Sequence, residues 1–157
     1  MRHESITQTV IGCAMKIHRT LGPGFLESVY QNAVLHELRL AGLRAELEKR
    51  LQVFYDGVLI GDSVADIVVE GRILIENKAV RALTANHEAQ VVNYLTASGI
   101  EVGLLLNFGA DSLEFKRKHR TFRGGNTSVN EDETDDGDSE GRVRYSATAD
   151  STNEEGE

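Results

Sequence analysis

Ile6, Val10, Cys13 and Ile17 recur at spacings of four, three and four, which places them along one side of a helix. The pattern predicts a first helix from about Ser5 to Thr20. Gly22-Pro23-Gly24 interrupts it, and Leu26, Val29, Tyr30, Ala33 and Val34 resume the period as the apolar side of a second helix ending near Gly42. The chain then reads as strands from Leu47 to Tyr55 and from Val58 to Val69, with Asp56-Gly57 as the hairpin turn between them. A third strand, RILIENKAV, follows the turn at Glu70-Gly71. Helical spacing returns through Ala85, Ala89, Val92 and Leu95 or Thr96, with Thr84 suited to cap a helix that starts at Ala85. EVGLLLNF and the segment around LEFKRK complete strands four and five. The order ααβββαββ describes an α/β fold: a mixed central sheet flanked by helices.

The pattern stops at Gly124. From there to Glu157 the chain is rich in Gly, Ser, Thr, Asn, Asp and Glu and holds too few large apolar residues to offset the entropy of ordering it. Residues 1–123 are therefore expected to form one domain, and 124–157 a disordered acidic tail. The split changes the meaning of the net charge of −8. The tail carries 11 Asp/Glu against 2 Arg, whereas the body holds 14 acids and 15 bases and is close to neutral. Lys116, Arg117, Lys118 and Arg120 cluster near the end of the body, where a phosphate backbone could be held. A solvated last strand is the equal alternative. With Cys13 the only cysteine, a disulfide framework and a cysteine-rich zinc site are both excluded within one chain. No apolar run approaches the roughly 18 residues of a membrane span, so a soluble, cytoplasmic protein is expected.

Three charges stand where the pattern asks for apolar residues. Asp66 lies inside VADIVV, and Glu76 and Lys78 lie inside ILIENKAV, segments otherwise apolar enough to be central strands. Burying one unpaired carboxylate costs several kcal/mol, so these charges require a partner. Residues two apart on a strand share a face, so Glu76 and Lys78 point one way and Asn77 the other. Two neighbouring carboxylates resist joint ionisation, and hard oxygen donors without a His or Cys cluster favour Mg²⁺ or Mn²⁺ over zinc. A buried salt bridge from Asp66 or Glu76 to Lys78 is the purely structural alternative. Glu27, in GFLESVY, could be delivered to the sheet by the second helix, where Gly24, Glu27 and Tyr30 are spaced by three. Gln90 and Tyr94, four apart on the third helix, present polar tips to one spot, with His87 on the same stripe.

Together these residues resemble a known family. GPGFLESVY is similar to the defining motif of the GxxExxY proteins, which are grouped with the PD-(D/E)XK nuclease superfamily, and the resemblance spans roughly Ile6 to Arg120. It implies a restriction-endonuclease-like fold, with Asp66 at the metal-binding aspartate, Glu76 and Lys78 on the E-x-K pair, and Glu27 as the additional helical glutamate. Gln90 and Tyr94 match the Q-x-x-x-Y helix of RecB-like members. Ala65 departs from the proline of the motif name and Asn77 from the commoner apolar residue, yet neither removes a ligand. The resemblance implies a Mg²⁺- or Mn²⁺-dependent nuclease acting on nucleic acid, with DNA the expected substrate. Three carboxylates against one ammonium leave two negative charges, which one divalent ion cancels. The rival is a non-catalytic nucleic-acid or protein-binding module on the same fold.

Overall fold

The structure, a computed structural model, describes residues 3–120 and, as main chain only, 143–147. The first apolar stripe forms α1 (Glu4–Leu21), which buries Val10, Ala14 and Ile17. The second forms α2 (Glu27–Leu40), which buries Tyr30, Val34, Leu35 and Leu38. Then follow β1 (Ala45–Tyr55), β2 (Val58–Val69), β3 (Ile73–Lys78), α3 (Ala85–Ser98), β4 (Val102–Asn107) and β5 (Glu114–His119). The order is the one read from the pattern. The predicted cap is present too: the Thr84 hydroxyl accepts the His87 N–H, and the His87 Nδ1 accepts the Thr84 N–H at 3.0 Å.

Strand order across the sheet is β5-β4-β3-β2-β1, with a further strand, β6 (Val143–Ala147), on the outer edge of β1. Among the described strands only β3 and β4 are parallel neighbours, because α3 separates them in the chain and supplies the long crossover that parallel neighbours require. Both strands are apolar runs buried on two faces. On one face Ile67, Val69, Ile73, Ile75, Val102, Leu104 and Leu106 pack against α1 and α2. On the other, Val68, Leu74 and Leu105 pack against Val91 and Leu95 of α3. The result is a three-layer α/β/α arrangement, consistent with the restriction-endonuclease-like expectation.

A sixth strand, β6 (Val143–Ala147), was not foreseen. It pairs antiparallel with β1, from Val143 opposite Tyr55 to Ala147 opposite Leu51. It lies inside the stretch expected to be unstructured, where a five-residue VRYSA amid polar neighbours gives too short a period to read. Pairing at an exposed edge supplies its order instead. The rest of the expected tail, and the boundary at 123/124, lie outside the described residues.

Leu105 is fully buried beneath α3, whereas Leu40 ends α2 at 68% exposure. Leu105→Ala is expected to cost about 2–5 kcal/mol, and Leu40→Ala about 0.5 kcal/mol or less, in urea unfolding followed by circular dichroism.

Candidate active site where two strands part

The ladder between β2 and β3 is regular at Val69–Ile73, Val68–Leu74 and Ile67–Ile75. At Asp66 it changes character. There the Asp66 N–H donates to Glu76 Oε1 at 3.3 Å, and the Asn77 N–H donates to Asp66 Oδ2 at 2.8 Å. Two carboxylates thus stand between the strands where a main-chain pair would otherwise close. The facing of β2 turns over at the same point: Ile67 packs on the α1/α2 side, while Ala65, two residues away, packs on the α3 side. Regular alternation would have kept them on one face.

Glu76 is only 3% exposed. Burial, then the neighbouring Asp66 charge, pushes its carboxyl up to about 8, opposed by Lys78 and by the Asp66 N–H. The Glu27 charge also raises it, so Glu27, Asp66, Glu76 and Lys78 share one electrostatic site. The phenol of Tyr94 is raised by burial first, then by Glu76, and further by Asp66. Gln90 Nε2 donates to the Tyr94 hydroxyl at 2.9 Å, and Ser63 bonds to that hydroxyl as well. The two polar tips of α3 therefore meet the site. Asn77 points the other way, as its parity requires: it is fully buried, and its side-chain amide has no partner among the described residues.

Delivery of Glu27 depends on the loop before α2. Gly24 sits at φ 116°, a conformation that a side chain disfavours. Tyr30 closes this loop, since its hydroxyl donates to the Gly22 carbonyl at 2.5 Å and accepts the Phe25 N–H at 3.2 Å. Its ring stacks on Phe108 at 4.7 Å with 6° between the planes. Gly24 therefore precedes the helix instead of sharing one side of it with Glu27 and Tyr30. Tyr30 enters the core, and Glu27, first residue of α2, stays exposed. A helix N-terminus favours a carboxylate in any case, so its position serves both purposes.

Lys78 is held through its main chain. Its carbonyl accepts the Phe108 N–H at 2.9 Å. Beside it, Asn107 Oδ1 accepts the N–H groups of Val80 and Gly109, each at 3.0 Å, and Asn107 Nδ2 donates to the Val80 carbonyl at 2.8 Å. Gly109 lies so close that an added Cβ would stand 2.4 Å from the Val80 nitrogen. Asn107 was missed in the sequence. Its one signal is a polar residue ending the apolar strand VGLLLN, in register with Lys78.

The basic segment does not form one patch. Alternation along β5 sends Lys118 toward α3, where it pairs with Glu88 at 2.6 Å and holds that carboxyl low, and sends Arg117 toward α1, where it donates to Thr7 Oγ1 at 3.0 Å. Arg120 donates to the Gly99 carbonyl at 3.0 Å. Lys116 is exposed on the side of Lys118. The joint phosphate-binding surface expected of Lys116, Arg117, Lys118 and Arg120 is thus divided between two faces and partly engaged within the body.

Among the described residues no three His, Cys, Asp or Glu side chains converge as a ready metal cage. The donor set still fits Mg²⁺ or Mn²⁺. Mg²⁺ commonly takes one or two carboxylates and keeps several waters, and half-buried Asp66 and buried Glu76 set two carboxylates against each other. Glu27 enters here as a charge that raises the Glu76 carboxyl, the smallest of the causes acting on it.

A model of the PD-(D/E)XK nuclease superfamily matches residues 4–118, and the chain belongs to that superfamily. Its nucleases usually use Mg²⁺ or Mn²⁺, although members can be non-catalytic. Among solved structures, SSO0001 is similar at 20% identity with a TM-score of 0.50, over 76% of this chain and 60% of that one. The chain thus spans about three-fifths of SSO0001, and the likeness concerns the fold alone. No curated protein matches. No helix among the described residues is long and apolar enough to cross a membrane.

Two outcomes follow from this geometry. A carboxyl raised from 4.5 to about 8 on folding binds its proton more tightly in the folded state, so metal-free stability should fall as pH rises from about 4.5 to 8 and level off above. Thermal melts in EDTA should show this slope, Glu76→Gln should flatten it, and the rise in Tm caused by Mg²⁺ should grow with pH over the same window. Asn107→Ala strips partners from three main-chain groups and should cost at least about 2 kcal/mol in urea unfolding.

Proposed function

We propose that this chain is a metal-dependent nuclease of the GxxExxY type that hydrolyses nucleic-acid phosphodiester bonds inside the cell, with DNA as its substrate. The observation that carries this reading is the buried Glu76 carboxyl set against Asp66, with Lys78 on the same electrostatic site. A salt bridge alone would not need a second carboxylate. Asp66 and Glu76 would hold Mg²⁺ or Mn²⁺, and Glu27 would reach it through water. The bound ion supplies Lewis acidity and cancels the excess negative charge.

The chain's own groups do the rest. Lys78, fixed by the Asn107 and Phe108 contacts to its loop, orients the attacking water and stabilises the negative charge that develops on the phosphate oxygens. Gln90 and Tyr94 position, since an amide does not titrate usefully and burial lifts the phenol further from neutrality. Lys116, exposed on β5, would contact the strand's phosphates at a distance from the cut.

The test is cleavage of labelled single- and double-stranded DNA and RNA with Mg²⁺, Mn²⁺ or EDTA. Turnover should require the metal, and Lys78→Ala should lower kcat about 10²–10³-fold while keeping most metal affinity. Undiminished cleavage by Lys78→Ala would remove this lysine from the chemistry. Binding without cleavage of any polymer would instead make the chain a binding module on the same fold.

A further inference from the structure

α3 carries more polar side chains than the site uses. Asn86, Gln90 and Asn93 recur at spacings of four and three, and with Tyr94 they form one wall of a groove between α3 and the β1–β2 hairpin. Leu51 and Val53 of β1 and Ser63 of β2 form the other. The cavity holds about 690 Å³, within the range of small-molecule sites.

Its chemistry is unlike that of the carboxylate site. Among the described residues its lining holds no Lys, Arg, Asp or Glu, and His87 is its one titratable group besides Tyr94. Side-chain amides instead present a donor and an acceptor side by side, the pattern that a nucleobase edge complements. Leu51, Val53 and the Tyr94 ring give a flat heterocycle apolar and aromatic support. Tyr94 also joins the two regions: its hydroxyl is bonded to Gln90 and Ser63, both in the groove, and feels the charges of Glu76 and Asp66. A nucleotide with its phosphate at the carboxylates therefore has its base beside the groove.

A base inside a duplex is stacked and paired, and it cannot enter a recess walled by a helix and a hairpin without leaving its partner. Resting on the nuclease reading above, we infer that the groove between α3 and the β1–β2 hairpin holds an unpaired nucleobase next to the scissile phosphate. The substrate class is then a nucleic-acid strand whose base at that position lies outside a duplex stack. Asn86 and Asn93 set the affinity for that base, and both are exposed, so replacing them leaves the core intact.

The test is equilibrium binding by fluorescence anisotropy, using the full chain with Ca²⁺ in place of Mg²⁺ so that binding is read apart from turnover. The probes are a short labelled DNA single strand, its blunt duplex, and the same strand made of abasic analogues. The base-bearing single strand should bind about tenfold more tightly than either of the others. Asn86→Ala/Asn93→Ala should lose most of that advantage while binding the abasic strand as before, and the near-isosteric, uncharged Asn93→Leu should weaken the base-bearing strand alone. Equal affinity for base-bearing and abasic strands, or an unchanged double variant with an unchanged Tm, overturns the inference. Base-dependent binding in a protein that cleaves nothing with Mg²⁺ or Mn²⁺ would uphold the groove and sink the nuclease reading. Cleavage combined with base-independent binding would do the reverse.

Discussion

Asp66 and Glu76 exchange side chain for main chain across the gap between β2 and β3, and the site depends on that exchange. Each carboxylate takes one backbone N–H from the opposite strand, which anchors it between them. The same bonds end the regular pairing of the two strands, so one interaction both opens the gap and fills it with negative charge. The cost is visible in Glu76, whose carboxyl is raised far above its ordinary range by burial and by Asp66. A divalent ion reverses this cost, and the chain is thereby prepared for one.

Two further devices set the positions of the remaining charges. Tyr30 locks the Gly22–Phe25 loop and starts α2 at Glu27, while its ring stacks on Phe108. Phe108 in turn binds the Lys78 carbonyl, and its neighbour Asn107 holds Val80. The supports of Glu27 and Lys78 are therefore in contact through one aromatic pair. A change in the Tyr30–Phe108 stack would be felt by both, which is the behaviour of a site held on rigid elements with a packed surrounding shell.

Much of this was legible in the sequence. The helical and strand periods gave every element through β5, although α3 buries Val91 and Leu95 while Ala85 and Ala89 of the expected stripe are exposed, and β5 buries none of its residues. Asp66, Glu76 and Lys78 stood out as charges in apolar strands, and strand parity placed Asn77 on the far side. What escaped depended on contacts between distant segments. Asn107 looks like an ordinary strand end until β4 is laid beside β3. Gly24 fits a helical spacing that the chain does not adopt, since the Tyr30 hydroxyl holds it in a loop. The Lys116–Arg120 cluster reads as a patch, whereas alternation along β5 divides it. β6 owes its order to the edge of β1 and has little local signal.

The central claim is that the paired carboxylates at the parting of β2 and β3 form a cation site. Titration of the protein with Mn²⁺, followed by electron paramagnetic resonance of the free ion, tests it most directly. The account predicts saturable binding by the unaltered chain that is lost in Asp66→Asn, a variant that keeps the side chain's size and should keep the fold. Equal Mn²⁺ binding by Asp66→Asn and the unaltered chain would contradict it.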